Sequence, residues 1–467
     1  MSPLELDFDS CYRAVSARDS RFDGRFYTAV TTTRIYCRPI CPARTPSSRN
    51  VRFYRHAASA EAAGFRPCKR CRPELSPGDP GWDLRGDLIG RALRLIDDGA
   101  ADERGVAGLA TRLHITERHL HRLFVAELGV GPLAVARTKR LLLAKQLLTE
   151  TRLPVTEVAF AAGFGSVRQF NATMRETYGF TPSELRATAA TPLTVDVAAG
   201  PASLRLRLHR REPYDVEGVF AFLASRAIPG LEVADRTSYA RAVPGGTITL
   251  TPRRDHVALD VAVDDTRQLA RVVARCRRLL DLDADPDAIS EILGQTSLGP
   301  LVAARPGLRV PGTFDGFELA VRAVVGQQIS VAGARTLLGR IVAKAAAPEG
   351  LFPTPGRLLE TDLTGLGLTN RRIATLKVLA ARLAEGLIDL DGGQDPAEAV
   401  AGLLEIPGIG PWTASYIALR ALRDPDAWPT GDLVLNKRMA ALGIPDDHIE
   451  RWRPWRAYAA LHLWSSS

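Results

Sequence analysis

From residue 82 to 190, Leu, Ala and Val recur at spacings of three and four, so this stretch is predicted to be almost entirely helical. Near residue 191 the period changes to two. Leu204, Leu206 and Leu208 alternate with Arg205 and Arg207, and the runs Thr247–Thr251 and Val257–Val263 alternate likewise, which predicts a strand-rich α+β region. After Pro300 the helical period returns and continues to residue 467. Two breaker-rich stretches, Pro73–Gly81 and Thr191-Pro192, read as linkers. The resulting organisation is four domains, at 1–76, 82–190, 192–298 and 299–467, and a multidomain, mainly α fold with α+β parts.

Composition narrows this picture. The chain has 467 residues, 46% hydrophobic and 24% charged, a globular balance that excludes a wholly disordered polymer. No run approaches 18 uncharged apolar residues, so no membrane partner is expected. The first residues are acidic where a signal peptide needs basic and then apolar ones, and the expected location is cytoplasmic. Charge is unevenly placed. Residues 1–190 hold 29 Lys+Arg against 20 Asp+Glu, whereas residues 191–467 hold 32 of each. All the excess positive charge lies in the first part, which points to a polyanion such as nucleic acid.

Four of the six cysteines form two close pairs, Cys37/Cys41 and Cys68/Cys71, separated by 26 residues. Each pair can present two thiolates from one loop to the same ion, and tetrahedral Zn2+ with four sulfur ligands is the expected product. Arg34, Arg38, Arg66, Lys69, Arg70 and Arg72 surround the pairs, where they offset thiolate charge or contact phosphates. Cys11 and Cys276 are expected to be inert.

Two segments of the helical region, Val106–Phe124 and Val155–Arg175, begin 49 residues apart and have the form of a helix-turn-helix. Gly163 suits the turn of the second. Arg118, His119 and Arg122 in one, and Arg168, Gln169 and Asn171 in the other, form polar faces suited to base edges or phosphates in a major groove.

The motifs Thr33-Arg-Ile-Tyr-Cys37-Arg-Pro-Ile-Cys41, Asn50-Val-Arg-Phe-Tyr54 and Ala63-Gly-Phe-Arg-Pro-Cys68-Lys-Arg-Cys71 carry a resemblance. Residues 8 to about 190 resemble the N-terminal part of the Ada alkylation-response regulators, a zinc methyl-acceptor domain followed by an AraC-type double helix-turn-helix. The resemblance implies that Cys37 accepts a methyl group irreversibly from a methylphosphotriester in DNA, with Cys41, Cys68 and Cys71 as the other zinc ligands. Methylation would turn Cys37 from an anionic thiolate into a neutral thioether, so tighter promoter binding is expected after it, with RNA polymerase as a further expected partner. The Pro-Cys-His-Arg signature of the second acceptor domain of those regulators does not occur in this sequence, so no O6-methylguanine repair is expected.

Near the C-terminus, Leu403-Leu-Glu-Ile-Pro407-Gly408-Ile-Gly410-Pro-Trp412-Thr-Ala-Ser-Tyr416 reads as a helix-hairpin-helix. Its glycines permit close approach to a phosphate, and the following helix N-terminus favours an anion, so the net-neutral half can still bind DNA. Asp432 follows 22 residues after Gly410, placed where it could cap a helix.

Together with Ala304–Gly312, Val321–Ser330 and Trp452–Trp464, these stretches resemble the AlkA-type 3-methyladenine DNA glycosylases of the helix-hairpin-helix superfamily, from about residue 192 to 467. The resemblance implies that Asp432 is the catalytic carboxylate, that Trp412, Tyr416 and Trp464 line the base pocket, and that the enzyme is monofunctional. At Gln328 this chain carries an amide where the enteric relative has an apolar wedge. Arg371 and Arg372 are expected in a loop near DNA. The expected function is therefore a damaged-DNA and promoter-DNA binding protein combining methyl transfer to its own cysteine, transcriptional activation and excision of alkylated purines. The competing expectation is a regulator whose C-terminal half only binds DNA.

Overall fold

The computed structural model describes residues 6–79, 88–188, 203–345 and 350–466. They fall into two compact units. One comprises residues 6–79, 88–188, 203–209 and 262–274, the other residues 210–261, 275–345 and 350–466. The expected linker at Thr191-Pro192 lies outside the described residues. The architecture is multidomain and mainly helical with small sheets. Among the described residues no helix is long and apolar enough to cross a membrane.

The first unit opens with helix α1 (Phe8–Ala17), whose first turn is capped by Asp7 accepting from the Ser10 amide at 2.8 Å. Four short strands follow: β1 (Tyr27–Val30), β2 (Ile35–Cys37), β3 (Val51–Tyr54) and, after helix α2 (Ala57–Ala62), β4 (Arg66–Pro67). They form one sheet in the order β3-β1-β2-β4. β1 is antiparallel to β2 and β3, whereas β2 and β4 run parallel with Tyr36 opposite Pro67. Tyr27, Ala29, Tyr36, Ala57, Ala60 and Phe65 make the small core beneath the sheet.

The helical part of this unit contains α3 (Leu88–Asp97), α4 (Ala100–Arg112, interrupted at Gly105), α5 (Glu117–Leu128), α6 (Pro132–Glu150), α7 (Val155–Ala161), α8 (Val167–Tyr178) and α9 (Pro182–Ala187). Ala58 of α2 packs into the core of these helices, and Leu142 of α6 packs against the sheet core. The segment expected to be a linker from Pro73 begins differently. Pro73–Leu75 is a 3₁₀ turn with Pro73 and Leu75 buried, and Glu74 pairs with Lys145 of α6 at 2.7 Å, both side chains almost fully buried. The prolines there shape a packed connection, because a buried ion pair holds the chain against α6. Strand β5 (Ser203–His209) keeps the alternation of its sequence, with Leu204, Leu206 and Leu208 buried.

The second unit begins with α10 (Val216–Arg226), followed by strands β6 (Glu232–Ala234), β7 (Tyr239–Val243), β8 (Gly246–Pro252) and β9 (His256–Val263), adjacent in the order β6-β7-β8-β9. On β7 the inward positions are Tyr239, Arg241 and Val243. Arg241 is a buried charge and finds its partner in Glu318 at 2.8 Å.

Helices α11 (Leu269–Leu279), α12 (Pro286–Leu293), α13 (Gly299–Ala304), α14 (Gly316–Val325), α15 (Val331–Ala345), α16 (Pro355–Glu360), α17 (Asn370–Ala384), α18 (Pro396–Leu404), α19 (Pro411–Ile417), α20 (Leu433–Ala441) and α21 (Arg456–Ser465) complete the chain. Cys276 on α11 is fully buried and its thiol is pushed up by burial, while burial pushes Cys11 up to about 11. Neither environment generates a thiolate.

His462 of α21 is 5% exposed, and burial followed by the charge of Arg305 pushes it down to about 4. An unfolded histidine titrates near 6.5, so between pH 6.5 and 4 the unfolded chain binds the extra proton and stability is lost as pH falls. From pH 7 to pH 5 this one group is expected to remove about 2 kcal/mol. Urea unfolding of the parent and of His462→Gln at both pH values checks it: the variant should show the smaller loss, and equal losses would refute the assignment.

Candidate functional sites

Parallel pairing of β2 and β4 places Cys37, the last residue of one strand, beside Cys68, which follows the other; the Cys68 amide donates to the Tyr36 carbonyl at 2.9 Å. Tight turns after each strand return Cys41 and Cys71 to the same point. The four Sγ atoms lie within 4.8 Å of one another. A tetrahedral centre with metal–sulfur bonds of ~2.3 Å needs sulfurs about 3.8 Å apart, so the cluster fits zinc with little adjustment.

Backbone amides support two of the sulfurs, Arg38 N donating to Cys71 Sγ and Arg70 N to Cys68 Sγ, each at 3.3 Å. Cys68 and Cys71 are buried, whereas Cys37 and Cys41 keep partial exposure. Hydrogen bonding to Cys37 pulls the Cys41 thiol down to about 7, and hydrogen bonds to Cys41 and the other two thiols push Cys37 up. Four thiols this close hold one another's protons, and a cation at the centre is what would let all four ionise.

The basic residues around the cluster divide into two groups. Arg38 is buried and bonded through its side chain to Asp23 and the Cys71 carbonyl; Arg72 pairs with Glu74 and Glu150. These two are structural. Arg34, Lys69 and Arg70 are exposed, with Arg34 lying over Phe65 and Lys69 over Phe180.

Both helix-turn-helix segments fold alike. In α4–α5 the turn residue is His114, in left-handed backbone with φ 55°, and in α7–α8 it is Gly163 with φ 85°. The next residue closes the same hydrogen bond in each, Ile115 N to Ala110 O and Phe164 N to Ala159 O. A Cβ at 163 would also lie 2.7 Å from the Asp102 carboxylate, which would have to shift. Thr116 caps α5 and Ser166 caps α8. Arg118, Arg122, Arg168 and Gln169 are exposed on these second helices. His119 is half-buried and bonded to Arg122 at 2.9 Å, and the Asn171 amide is turned back to the Val167 carbonyl of its own helix.

In the second unit, α18 and α19 are the arms of the hairpin. Gly408 has φ 96°, and a Cβ on it would meet Thr375 Oγ1 at 2.2 Å. Gly410, the residue before α19, has open space where its Cβ would lie. Gln327 ties a neighbouring loop to the hairpin by donating to the Gly408 carbonyl and to Thr413, both at 2.9 Å. Its neighbour Gln328 is exposed in left-handed backbone, with φ 57°. Arg371 and Arg372, expected in a loop, are in the first turn of α17 because Thr369 caps that helix; Arg372 donates to the Gln327 carbonyl and Arg371 is exposed. Gly408→Ala combines positive φ with a clash of the new methyl against the Thr375 side chain and is expected to cost about 1–3 kcal/mol. Thermal unfolding checks it, and an unchanged midpoint would contradict the packing.

Asp432 is the N-cap of α20. One carboxylate oxygen accepts from the Val434 and Leu435 amides at 2.9 and 2.8 Å, and the other accepts from Trp412 Nε1 at 2.7 Å. Trp464 Nε1 donates to the first oxygen at 3.2 Å. Trp412 stacks on Tyr416 with centroids 5.4 Å apart and an angle of 11°, and Trp464 meets Tyr416 edge-on at 6.3 Å. Capping and clustering with the aromatics thus coexist at one carboxylate. Gln327 belongs to this site although neither its type nor its spacing singles it out.

Known proteins match this layout. Residues 10–74 match the family described as the metal binding domain of Ada, residues 109–188 a helix-turn-helix domain, and residues 205–315 the AlkA N-terminal domain. The cofactor of the first of these is Zn2+, which the thiol cluster fits. The "Bifunctional transcriptional activator/DNA repair enzyme Ada" of Escherichia coli is 37% identical over 181 residues, covering 39% of this chain and 49% of its own. The E. coli "DNA-3-methyladenine glycosylase 2" is 35% identical over 276 residues, covering 55% of this chain and 95% of its own. A Mycobacterium tuberculosis protein named "Probable bifunctional transcriptional activator/DNA repair enzyme AlkA" is 48% identical over 480 residues, covering 98% of this chain and 96% of its own. Aligned along nearly its whole length with that fusion, the chain belongs to the family of bifunctional transcriptional activator/DNA repair enzymes that join an Ada-type regulator to an AlkA-type glycosylase.

Proposed function

We propose that this protein answers DNA alkylation twice, sensing it with the first unit and excising alkylated purines with the second. The observation that carries the glycosylase reading is Asp432, a carboxylate bonded by the indoles of Trp412 and Trp464 beside the hairpin. A purine alkylated on the ring carries positive charge and is already a good leaving group. Once its nucleotide is turned out of the duplex, the π faces of Trp412, Tyr416 and Trp464 suit the cationic base. The Asp432 carboxylate opposes the positive charge that develops on the sugar, or orients the water that attacks C1′. The C1′–N bond breaks with its electron pair going to the purine, and water supplies the new C1′–O bond, giving up one proton to solvent. The hairpin contains no lysine to form a Schiff base, so the reaction is that of a monofunctional glycosylase. Gln328, Gly408 and Gly410 are assigned to DNA contact beside this site.

In the first unit Cys37, Cys41, Cys68 and Cys71 would hold the metal, and zinc bound there would keep the sulfurs as thiolates. Cys37 is the acceptor. Its sulfur attacks the methyl carbon of a methylphosphotriester; the S–C bond forms, the C–O bond breaks, and a phosphodiester anion leaves. The sulfur becomes a neutral thioether, and one negative charge facing DNA is lost. Arg118, His119, Arg122, Arg168, Gln169 and Asn171 are assigned to promoter contacts, and RNA polymerase to the partner activated there. Release of methylated purines from alkylated duplex DNA, together with methyl uptake on the protein, tests the two halves separately. A chain showing neither activity would end this reading.

A further inference from the structure

The aromatic group beside Asp432 is backed by positive charge. Arg420, 8% exposed, donates to the Tyr416 hydroxyl at 3.0 Å and to the Pro311 and Gly312 carbonyls, each at 2.8 Å. All its acceptors are neutral. Arg226, the last residue of α10, lies with its guanidinium carbon 3.8 Å from the Phe222 ring centroid, and that of Arg420 is 4.8 Å from the same ring.

Arg226 donates to Ser225 Oγ at 2.8 Å and interacts with the Tyr416 phenol. Among the described residues neither arginine is paired with a carboxylate. The effect is visible on Tyr416: burial raises its phenol, but the charges of Arg420 and then Arg226 outweigh this and hold it below its ordinary value. A guanidinium has five N–H donors, and the Ser225 hydroxyl and the Tyr416 phenol cannot occupy all those of Arg226.

Two consequences follow for a base stacked near Tyr416. Unneutralised positive charge opposes a cationic purine and partly cancels the attraction of the aromatic faces. Spare N–H donors reward a carbonyl oxygen on the edge of the base. We propose that Arg226 is a specificity-determining residue of the Asp432 site, donating to an acceptor edge of the flipped base and shifting preference toward neutral, carbonyl-bearing purines such as hypoxanthine over 3-methyladenine. This rests on the glycosylase reading above. Arg420, with three acceptors already engaged, supplies charge and holds Tyr416 in place.

The test is single-turnover release of hypoxanthine, 7-methylguanine and 3-methyladenine from duplex DNA by the full chain and by Arg226→Met. Loss of a charge-assisted hydrogen bond is expected to lower the hypoxanthine to 3-methyladenine rate ratio by about tenfold or more. 7-Methylguanine, both cationic and carbonyl-bearing, should lie between the two. Arg226→Lys keeps the charge but loses the planar fork, and should lower the ratio by a smaller factor. It also carries the test if the Met variant fails to fold. Equal losses on all three bases would make Arg226 a packing residue only, and an unchanged or raised ratio would overturn the inference while leaving the glycosylase intact. If the parent releases none of the three bases, the glycosylase reading falls and the inference falls with it.

Discussion

Asp432→Asn is expected to slow release of methylated purines by about 10²–10⁴-fold, the range for loss of a positioned catalytic carboxylate. The substitution is informative because capping and the proposed catalysis make different demands on this residue. The amide oxygen of Asn can still accept from the Val434 and Leu435 amides, so the cap of α20 survives. The amide nitrogen would face Trp412 Nε1, which is itself a donor, and that contact is lost. Stability should therefore fall by only about 1–3 kcal/mol, while activity falls far more. Asp432→Ala removes the cap as well and should unfold earlier by a further ~1 kcal/mol. Equal release by parent and Asn variant would remove Asp432 from the chemistry. No release from either would favour a regulator whose second unit only binds DNA.

The second large effect concerns Cys37. Incubated with DNA carrying methylphosphotriesters, the parent is expected to gain one methyl group on Cys37, found by mass spectrometry of its peptides. Cys37→Ser is expected to gain none. Removing one negative charge that faces a phosphate backbone should tighten promoter binding by on the order of tenfold at low salt, and by less as salt rises. The Ser variant should show no such gain. Zinc content of each variant must be measured alongside, since Cys37 is also assigned to the metal. Cys41 is the discriminating control, because it too is partly exposed. Methyl found on Cys41, or uptake by Cys37→Ser, would defeat the assignment.

The parts of this molecule that could be read from sequence are those whose physics is local. Two cysteine pairs with short spacers announce a metal; Gly163 announces a turn; a Pro-Gly-Ile-Gly between apolar helices announces the hairpin. The parts that could not be read depend on residues brought together from afar. Glu61 sits in an alanine-rich helix and looks like a surface residue, yet it is buried and accepts from Tyr36, Thr138 and Tyr178, the last 117 residues away. Pro73–Leu75 looks like the start of a linker because prolines mark breaks, and only the distant Lys145 makes it a packed turn. His114 takes the left-handed conformation that glycine takes at 163, with no sign of it in residue type. Of the two arginines beside Tyr416, Arg420 lies four residues on, at helical spacing, whereas Arg226 comes from the end of α10, where no spacing rule reaches it.

Lys145 has a consequence for how such a chain can be cut and rejoined. Its ammonium, almost wholly enclosed, bonds to the Cys68 carbonyl and to Glu74, and Glu61 depends on Thr138 and Tyr178 in the same way. A scission after residue 76 would leave Lys145 on one fragment and both Glu74 and Glu61 on the other, at several kcal/mol for the broken buried Lys145–Glu74 pair. The piece that keeps these pairs together therefore runs from the first helix to about residue 188, and an expression trial of the cysteine motif alone should yield far less folded protein than one of that longer piece.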